Sequence, residues 1–126
     1  MYDTTLAEKC IKQFQKALGN RLFSYSIVTF GRCIMIQGKN NESEIYIRIE
    51  NRCNMICLNF SRIEFDIRYQ RRGYLTKLVN SCRNIPDVQM IIIGGVCTKE
   101  MFNWCNKNGF APLPNYCCDY FRYQGV

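Results

Sequence analysis

Apolar residues recur along this chain with two periods, and the switches between them divide it into elements. Leu6, Cys10, Phe14 and Leu18 fall four residues apart, which places them on one face of a helix. Thr5, with Glu8 three residues later, has the form of a capping box at its start, and Gly19 marks its end. The period then drops to two. Residues 25–30 and 33–37 are β-rich and separated only by Gly31 and Arg32, which reads as a tight hairpin. Residues 44–50 alternate without a break, Ile45, Ile47 and Ile49 against polar neighbours, so one face of that strand is covered. Residues 51–54 turn the chain into a longer strand, 55–66. Simple alternation there puts Met55, Cys57, Asn59, Ser61, Ile63 and Phe65 on one face. Ile56, Leu58, Phe60, Arg62, Glu64 and Asp66 take the other.

The helical period returns after Gly73, where Leu75, Leu78, Val79 and Cys82 form one stripe. This helix is expected to run from 73 to 84, because Pro86 disfavours a helical Ile85. Residues 88–93 include three consecutive isoleucines, the pattern of a strand buried on both faces. Following a strand and a helix, it implies a right-handed β-α-β crossover and a parallel pair. Thr98 is a candidate N-cap for a helix that buries Met101, Phe102 and Cys105 and stops at Asn108-Gly109. A short segment at 111–114 and a last strand at 117–123 follow. The expected fold class is α/β, with a mixed, mostly antiparallel sheet and one β-α-β crossover. It forms a single domain over 1–126, with an N-terminal helix region at 1–23 and a sheet core at 24–124.

Composition narrows the chemistry. The chain has 126 residues and nine cysteines but no histidine. Ser–His and Cys–His nucleophile pairs are therefore excluded, and with no Cys-x-x-Cys a zinc site is not expected. Cys10, Cys57, Cys82 and Cys105 fall on apolar stripes and read as reduced core residues. No apolar run is long enough to span a bilayer, and the start lacks the profile of a secretory signal, so a cytoplasmic protein with no membrane contact is expected. The net charge of +7 suits an anionic partner, either nucleic acid, a polyanionic cofactor or an acidic protein. Between residues 62 and 77 lie five basic and two acidic residues, a local patch that favours a phosphate-bearing cofactor over a duplex groove. The patch sits where a strand meets Gly73 and a helix start, whose free N–H groups and dipole attract anions.

The turn Gln70-Arg71-Arg72-Gly73-Tyr74-Leu75 resembles the acyl-CoA-binding motif of the GCN5-related N-acetyltransferase (GNAT) superfamily, Gln/Arg-x-x-Gly-x-Gly/Ala. Gln70 and Gly73 match it, and Leu75 stands where the pattern has a small residue. A second mark is the helix from Met101 that closes on Gly109-Phe110, which resembles the superfamily's helix ending in Gly-Phe. The resemblance covers roughly residues 24–124 and implies an acyl-CoA N-acyltransferase-like fold. It also implies acetyl-CoA as co-substrate and transfer of the acetyl group to an amine, by direct attack on the thioester. By the same resemblance the backbone of Phe65 and Ile67 pairs with the pantetheine arm. Gln70, Arg71, Arg72, Gly73, Tyr74, Leu75 and Thr76 form the turn that holds the pyrophosphate. Asn59 occupies the position where some members carry a glutamate base, leaving Glu64 as base or Ser61 as a water-orienting group. Cys105 stands where many members place a tyrosine acid. Each has a plainer reading: Glu64 as a solvated carboxylate, Cys105 as packing. The chain's front is shorter than the superfamily's, which leaves the acceptor side open and favours an amine on a protein or nucleic acid. The alternative is a catalytically weak or inactive binding module that acts through such a partner.

Overall fold

The computed structural model describes residues 4–19, 24–114, 116 and 118–124. A helix α1 (Thr4–Leu18) precedes four antiparallel strands, β1 (Tyr25–Phe30), β2 (Cys33–Gly38), β3 (Glu44–Arg52) and β4 (Met55–Glu64). Helix α2 (Tyr74–Ser81) then crosses to β5 (Met90–Ile93), which lies parallel to β4. Helix α3 (Lys99–Lys107) leads to the short β6 (Ala111–Pro112) and to β7 (Tyr120–Tyr123), which is antiparallel to both β5 and β6. The result is an α/β fold with a seven-stranded mixed sheet in the order β1-β2-β3-β4-β5-β7-β6. β4 and β5 are its one parallel pair, as the buried isoleucine run and the intervening helix predict. No helix among the described residues is long and apolar enough to cross a membrane.

Strand alternation, carried through the register, assembles the core. Ile34, Ile47, Phe60, Ile93 and Tyr120 are successive cross-strand partners, and all are buried. All three helices cover the face carrying this row. Leu6, Cys10, Phe14 and Leu18 pack there from α1, Leu75, Leu78 and Val79 from α2, and Met101, Trp104 and Cys105 from α3. Phe14 meets Phe60 edge-on at 6.3 Å between ring centroids. The opposite face holds a small buried cluster of Cys57, Met90 and Ile92, with Met55 and Phe121 against it. Towards β1 the same face exposes Val28 and Phe30, and between the two lie polar groups. Glu50 pairs with Arg52 at 3.0 Å and with Arg48 at 3.8 Å.

Several boundaries differ from the sequence expectation. The first helix already includes Thr4, so Thr5 lies inside it and does not cap it. β3 runs on to Arg52, and the turn into β4 is only Cys53 and Asn54, both at positive φ (53° and 63°) as a tight hairpin of this kind requires. β4 stops at Glu64, not at 66. Asp66 instead accepts the Arg68 amide and opens a 3-10 turn at Ile67–Tyr69. Helix α2 ends at Ser81 and tightens into a 3-10 turn, Cys82–Asn84. The strand expected at 88–93 shortens to Met90–Ile93. Phe102, expected to be buried, is 47% exposed, because the inward face of α3 carries Met101, Trp104 and Cys105. The last strand begins at Tyr120, and residue 117 lies outside the described residues.

Candidate functional site

The alternation expected along β4 fails at one residue. Ile47 pairs with Phe60 and Tyr46 with Arg62, so Ser61 is an extra residue with no partner across the ladder. This β-bulge reverses the phase of everything after it. Ile63 and Phe65 join Leu58 and Phe60 on the helix side. Glu64 moves to the open side that carries Asn59, opposite to Phe65 and contrary to the simple alternation. β5 leaves β4 at the same level. The last paired residues are Phe60 and Ile93, the Gly94 amide still donates to Phe60 O at 3.1 Å, and the Gly95 amide turns away to Asp119 Oδ1 at 3.2 Å. β4 thus continues alone beside a split between the two parallel strands.

Two adjoining hollows lie along that split and share Ile63, Glu64 and Met101 in their linings. The smaller, about 220 Å³, is bordered by Ser61, Glu64, Gly94 and Met101. The larger, about 550 Å³, runs on past Phe65 to the turn between β4 and α2, where Gln70, Arg71, Gly73 and Thr76 border it. Gly73 is the N-cap of α2 and has φ 79°, a left-handed conformation that strains any residue with a Cβ. Arg71 is also left-handed, at φ 60°. The Gln70 side chain donates to Phe65 O at 2.9 Å, and Arg72 Nε donates to Arg68 O at 2.7 Å. The turn is therefore tied back onto the end of β4. The first N–H groups of α2 have no acceptor within their own helix, and this end of it opens on the hollow. Arg71 makes no ion pair among the described residues, so its charge adds to the positive helix end.

The walls are aromatic and rigid. Tyr74 stacks on Phe65 with 6.1 Å between centroids and meets Tyr69 edge-on at 6.2 Å. Trp104 of α3 donates its indole N–H to Thr76 Oγ1 at 3.0 Å, which joins the two helices at the floor of the hollow. Leu75 is 9% exposed and packs with Leu78 and Val79, so its bulk points into the core and not into the turn. Asp66 secures the other side. It accepts the Arg68 amide at 3.0 Å, Arg68 Nε at 3.1 Å and the Glu42 amide at 2.9 Å. These donors, the Arg68 side chain foremost, hold its carboxyl well below the usual carboxylate range.

Polar groups converge at the split itself. Asn59 is 6% exposed, and its Nδ2 donates to Glu50 Oε1 at 3.3 Å. Its Oδ1 is buried and receives no hydrogen bond among the described residues. A Cβ on Gly94 would stand 3.2 Å from that Oδ1, 3.6 Å from Asp119 Oδ1 and 3.6 Å from the Ser61 Cα. The missing side chain of Gly94 therefore leaves a small space facing two acceptor oxygens. The Ser61 hydroxyl lies 3.4 Å from Tyr46 O.

Of the residues singled out from sequence, the fold brings Ser61, Glu64, Phe65, Gln70, Arg71, Gly73, Tyr74, Leu75 and Thr76 to the lining of these hollows. Glu64 is exposed and pairs with Arg62 at 2.8 Å. Arg72 belongs to the turn but does not line the hollow. Ile67 was expected to extend the strand edge. It sits in the 3-10 turn and is 82% exposed, so the unpaired edge of β4 ends with residues 63–65. Cys105 is fully buried in the core and lines neither hollow, and burial pushes its thiol up to about 11. Asp119 and Gly94 were missed. Asp119 reaches the split through the chain reversal before β7, and Gly-Gly after an isoleucine run was the only local signal for the other. No known protein family matches this chain, and no curated protein matches it either.

Proposed function

We propose that this chain binds acetyl-CoA, or a close acyl-CoA, in the split between β4 and β5 and transfers the acyl group to an amine. The observation that carries the reading is the succession of two adjoining hollows that share Ile63, Glu64 and Met101 in their linings. It begins at an unpaired strand edge beside a bulge and ends at a left-handed glycine capping a helix, with Arg71 on its border. A strand edge suits the amide groups of a pantetheine arm, and a helix start suits a pyrophosphate. The GNAT superfamily is similar on both counts, since its fourth strand parts from the next and acyl-CoA lies between them.

Chemically, the amine lone pair attacks the thioester carbon, the C–S bond breaks, and the electron pair leaves with the CoA sulfur, which takes up a proton. The amine nitrogen gives up one of its own. Asp119 is the better-placed acceptor for that proton. Glu64 is committed to Arg62, whereas the one hydrogen bond the Asp119 carboxylate accepts among the described residues comes from the Gly95 amide. The Asn59 Oδ1 and Ser61 beside it suit a water or the amine itself. Cys105 lies in the core and does not reach the departing thiolate, whose low basicity makes an acid helpful and not indispensable. The open side of the sheet leaves the acceptor entrance uncovered, which favours an amine on a protein or nucleic acid over a buried metabolite.

The test is a calorimetric titration of acetyl-CoA against wild type, Arg71→Glu and Gly73→Asp, with thermal melts as the control for folding. Trp104, the only tryptophan, borders the hollow, so its fluorescence reports filling independently. Wild type binds and both variants lose affinity while still folded. Equal affinity in all three, or none in wild type, refutes the reading. Binding without acetylation of any lysate protein or nucleic acid replaces the enzyme by a binding module.

A further inference from the structure

The other end of the sheet holds a second and larger cavity, about 1090 Å³, where β4 and β5 begin and β7 ends. Met55 lines this cavity and Ser61 the split, six residues further along β4, so the two lie about 20 Å apart along the strand. No aspartate or glutamate lines it. Arg83, Arg122 and Gln124 do, and their donors are poorly used. Arg83 forms no ion pair among the described residues. Arg122 spends Nη1 on Asn108 O at 3.0 Å and lays its guanidinium 4.8 Å from the Phe110 ring centre, but its Nη2 is buried with no acceptor among the described residues. The Gln124 Nε2 is also buried and has no partner among them. Burial, and then the charge of Arg83, pull the Arg122 pKa down, as expected for a half-buried cation beside a like charge. A buried donor without an acceptor costs on the order of 1–3 kcal/mol, and an anion in the cavity removes that cost.

The aromatic groups lie on the other side of the strand. Phe121 and Tyr123 project to the open face, as the partners of Ile92 and Met90, while Arg122, the partner of Ile91, projects to the helix side. Tyr123 is 51% exposed and rests edge-on against Phe121 with 5.2 Å between centroids. Both sets line the one cavity, so a ligand that fills it and uses both presents flat rings to one side and anionic groups to the other. A rigid small anion reaches only one set, and an acidic peptide brings no obligatory ring. A flexible polymer in which rings alternate with phosphates satisfies both. We propose that this trough binds single-stranded nucleic acid, with bases against Tyr123 and phosphates at Arg83 and Arg122.

The experiment is fluorescence anisotropy of short labelled oligothymidylate and oligouridylate against the full chain, at salt from roughly 50 to 200 mM. The variants are Arg83→Ala and Tyr123→Ala, both at exposed positions whose loss leaves the core intact, together with Arg71→Glu in the acyl-CoA hollow. Tyr123→Ala weakens binding by about tenfold, the worth of one stacked base. Arg83→Ala lowers the slope of log affinity against log salt by about 0.7, the loss of one phosphate contact. Arg71→Glu leaves oligonucleotide binding in place, which separates this trough from the other hollow. A preference for oligothymidylate or for oligouridylate tells DNA from RNA. Four results overturn the proposal. They are no binding by wild type, unchanged binding in both trough variants, a mononucleotide bound as tightly as the oligomer, and polyglutamate competing as well as the oligonucleotide.

Discussion

Asp66 borders neither hollow, yet it fixes the segment that forms one. Its carboxylate joins the end of β4 to the loop before β3 and opens the turn that leads to Gly73. Because its folded pKa lies below the usual 3.9 or so of a free aspartate, its contribution to stability is complete above about pH 4. It is lost as the pH falls further towards the folded value. Asp66→Asn removes that group, so melting temperatures of the two proteins should differ at neutral pH and converge in acid. Parallel curves across the range would contradict this. The split offers two sharper substitutions. Gly94 has an ordinary backbone, so Gly94→Ala should fold, but its methyl group fills the space facing Asn59 and Asp119. Acetyl transfer should fall while acetyl-CoA affinity changes little. Asp119→Asn should lower the rate of acetyl transfer, and Glu64→Gln much less. A larger loss in the Glu64 variant reassigns the proton to that carboxylate. Cys105→Ala should cost about 1 kcal/mol of stability as a small core truncation, and leave turnover per folded molecule unchanged.

Element by element, sequence was most informative where one element determined its own pattern. The stripe Leu75, Leu78, Val79 and Cys82 placed α2, and Thr98 capped α3 as expected, accepting the Met101 amide at 3.2 Å. The isoleucine run announced a strand buried on both faces, and Met90 to Ile93 are all buried. Sequence was least informative where the partner decided. The Ser61 bulge is a property of how β4 lies against Tyr46 and Ile47, and its one local trace was the apolar spacing of Phe60 and Ile63, which breaks a period of two. That single slip relocated Glu64. The burial of α3 was misread for a related reason. Phe102 was expected inside with Met101 and Cys105, but Trp104 takes the inward place, its indole N–H donating to Thr76 on α2, and Phe102 is 47% exposed. Trp104→Phe should keep the packing and lose that hydrogen bond, lowering stability by about 1 kcal/mol. Chemical denaturation of the two proteins measures it, and an unchanged midpoint would mean the bond contributes nothing to holding α3 against α2.

For the whole molecule, the order of elements and the mostly antiparallel sheet were legible, because strands close in sequence pair with one another from β1 to β4. The two ends of the sheet were not equally legible. The turn at residues 70–76 is contiguous, so one stretch announced it. The far trough collects Arg83, Arg122 and Gln124 from separate parts of the chain, and nothing in their local sequence joins them. The four buried thiols carry a different consequence. Cys10 lies on α1, Cys57 on β4, Cys82 at the end of α2 and Cys105 on α3, and none has measurable exposure. Burial pushes Cys10 up to about 12 and raises Cys82 as well, so none of these sulfurs is reactive while its element is in place. Each reacts only when its own element opens, so alkylation followed by mass spectrometry would read a separate opening rate for every helix and for the central strand. A ligand seated between β4 and β5 should slow the clocks at Cys82 and Cys105 and leave the one at Cys10 running at its old speed.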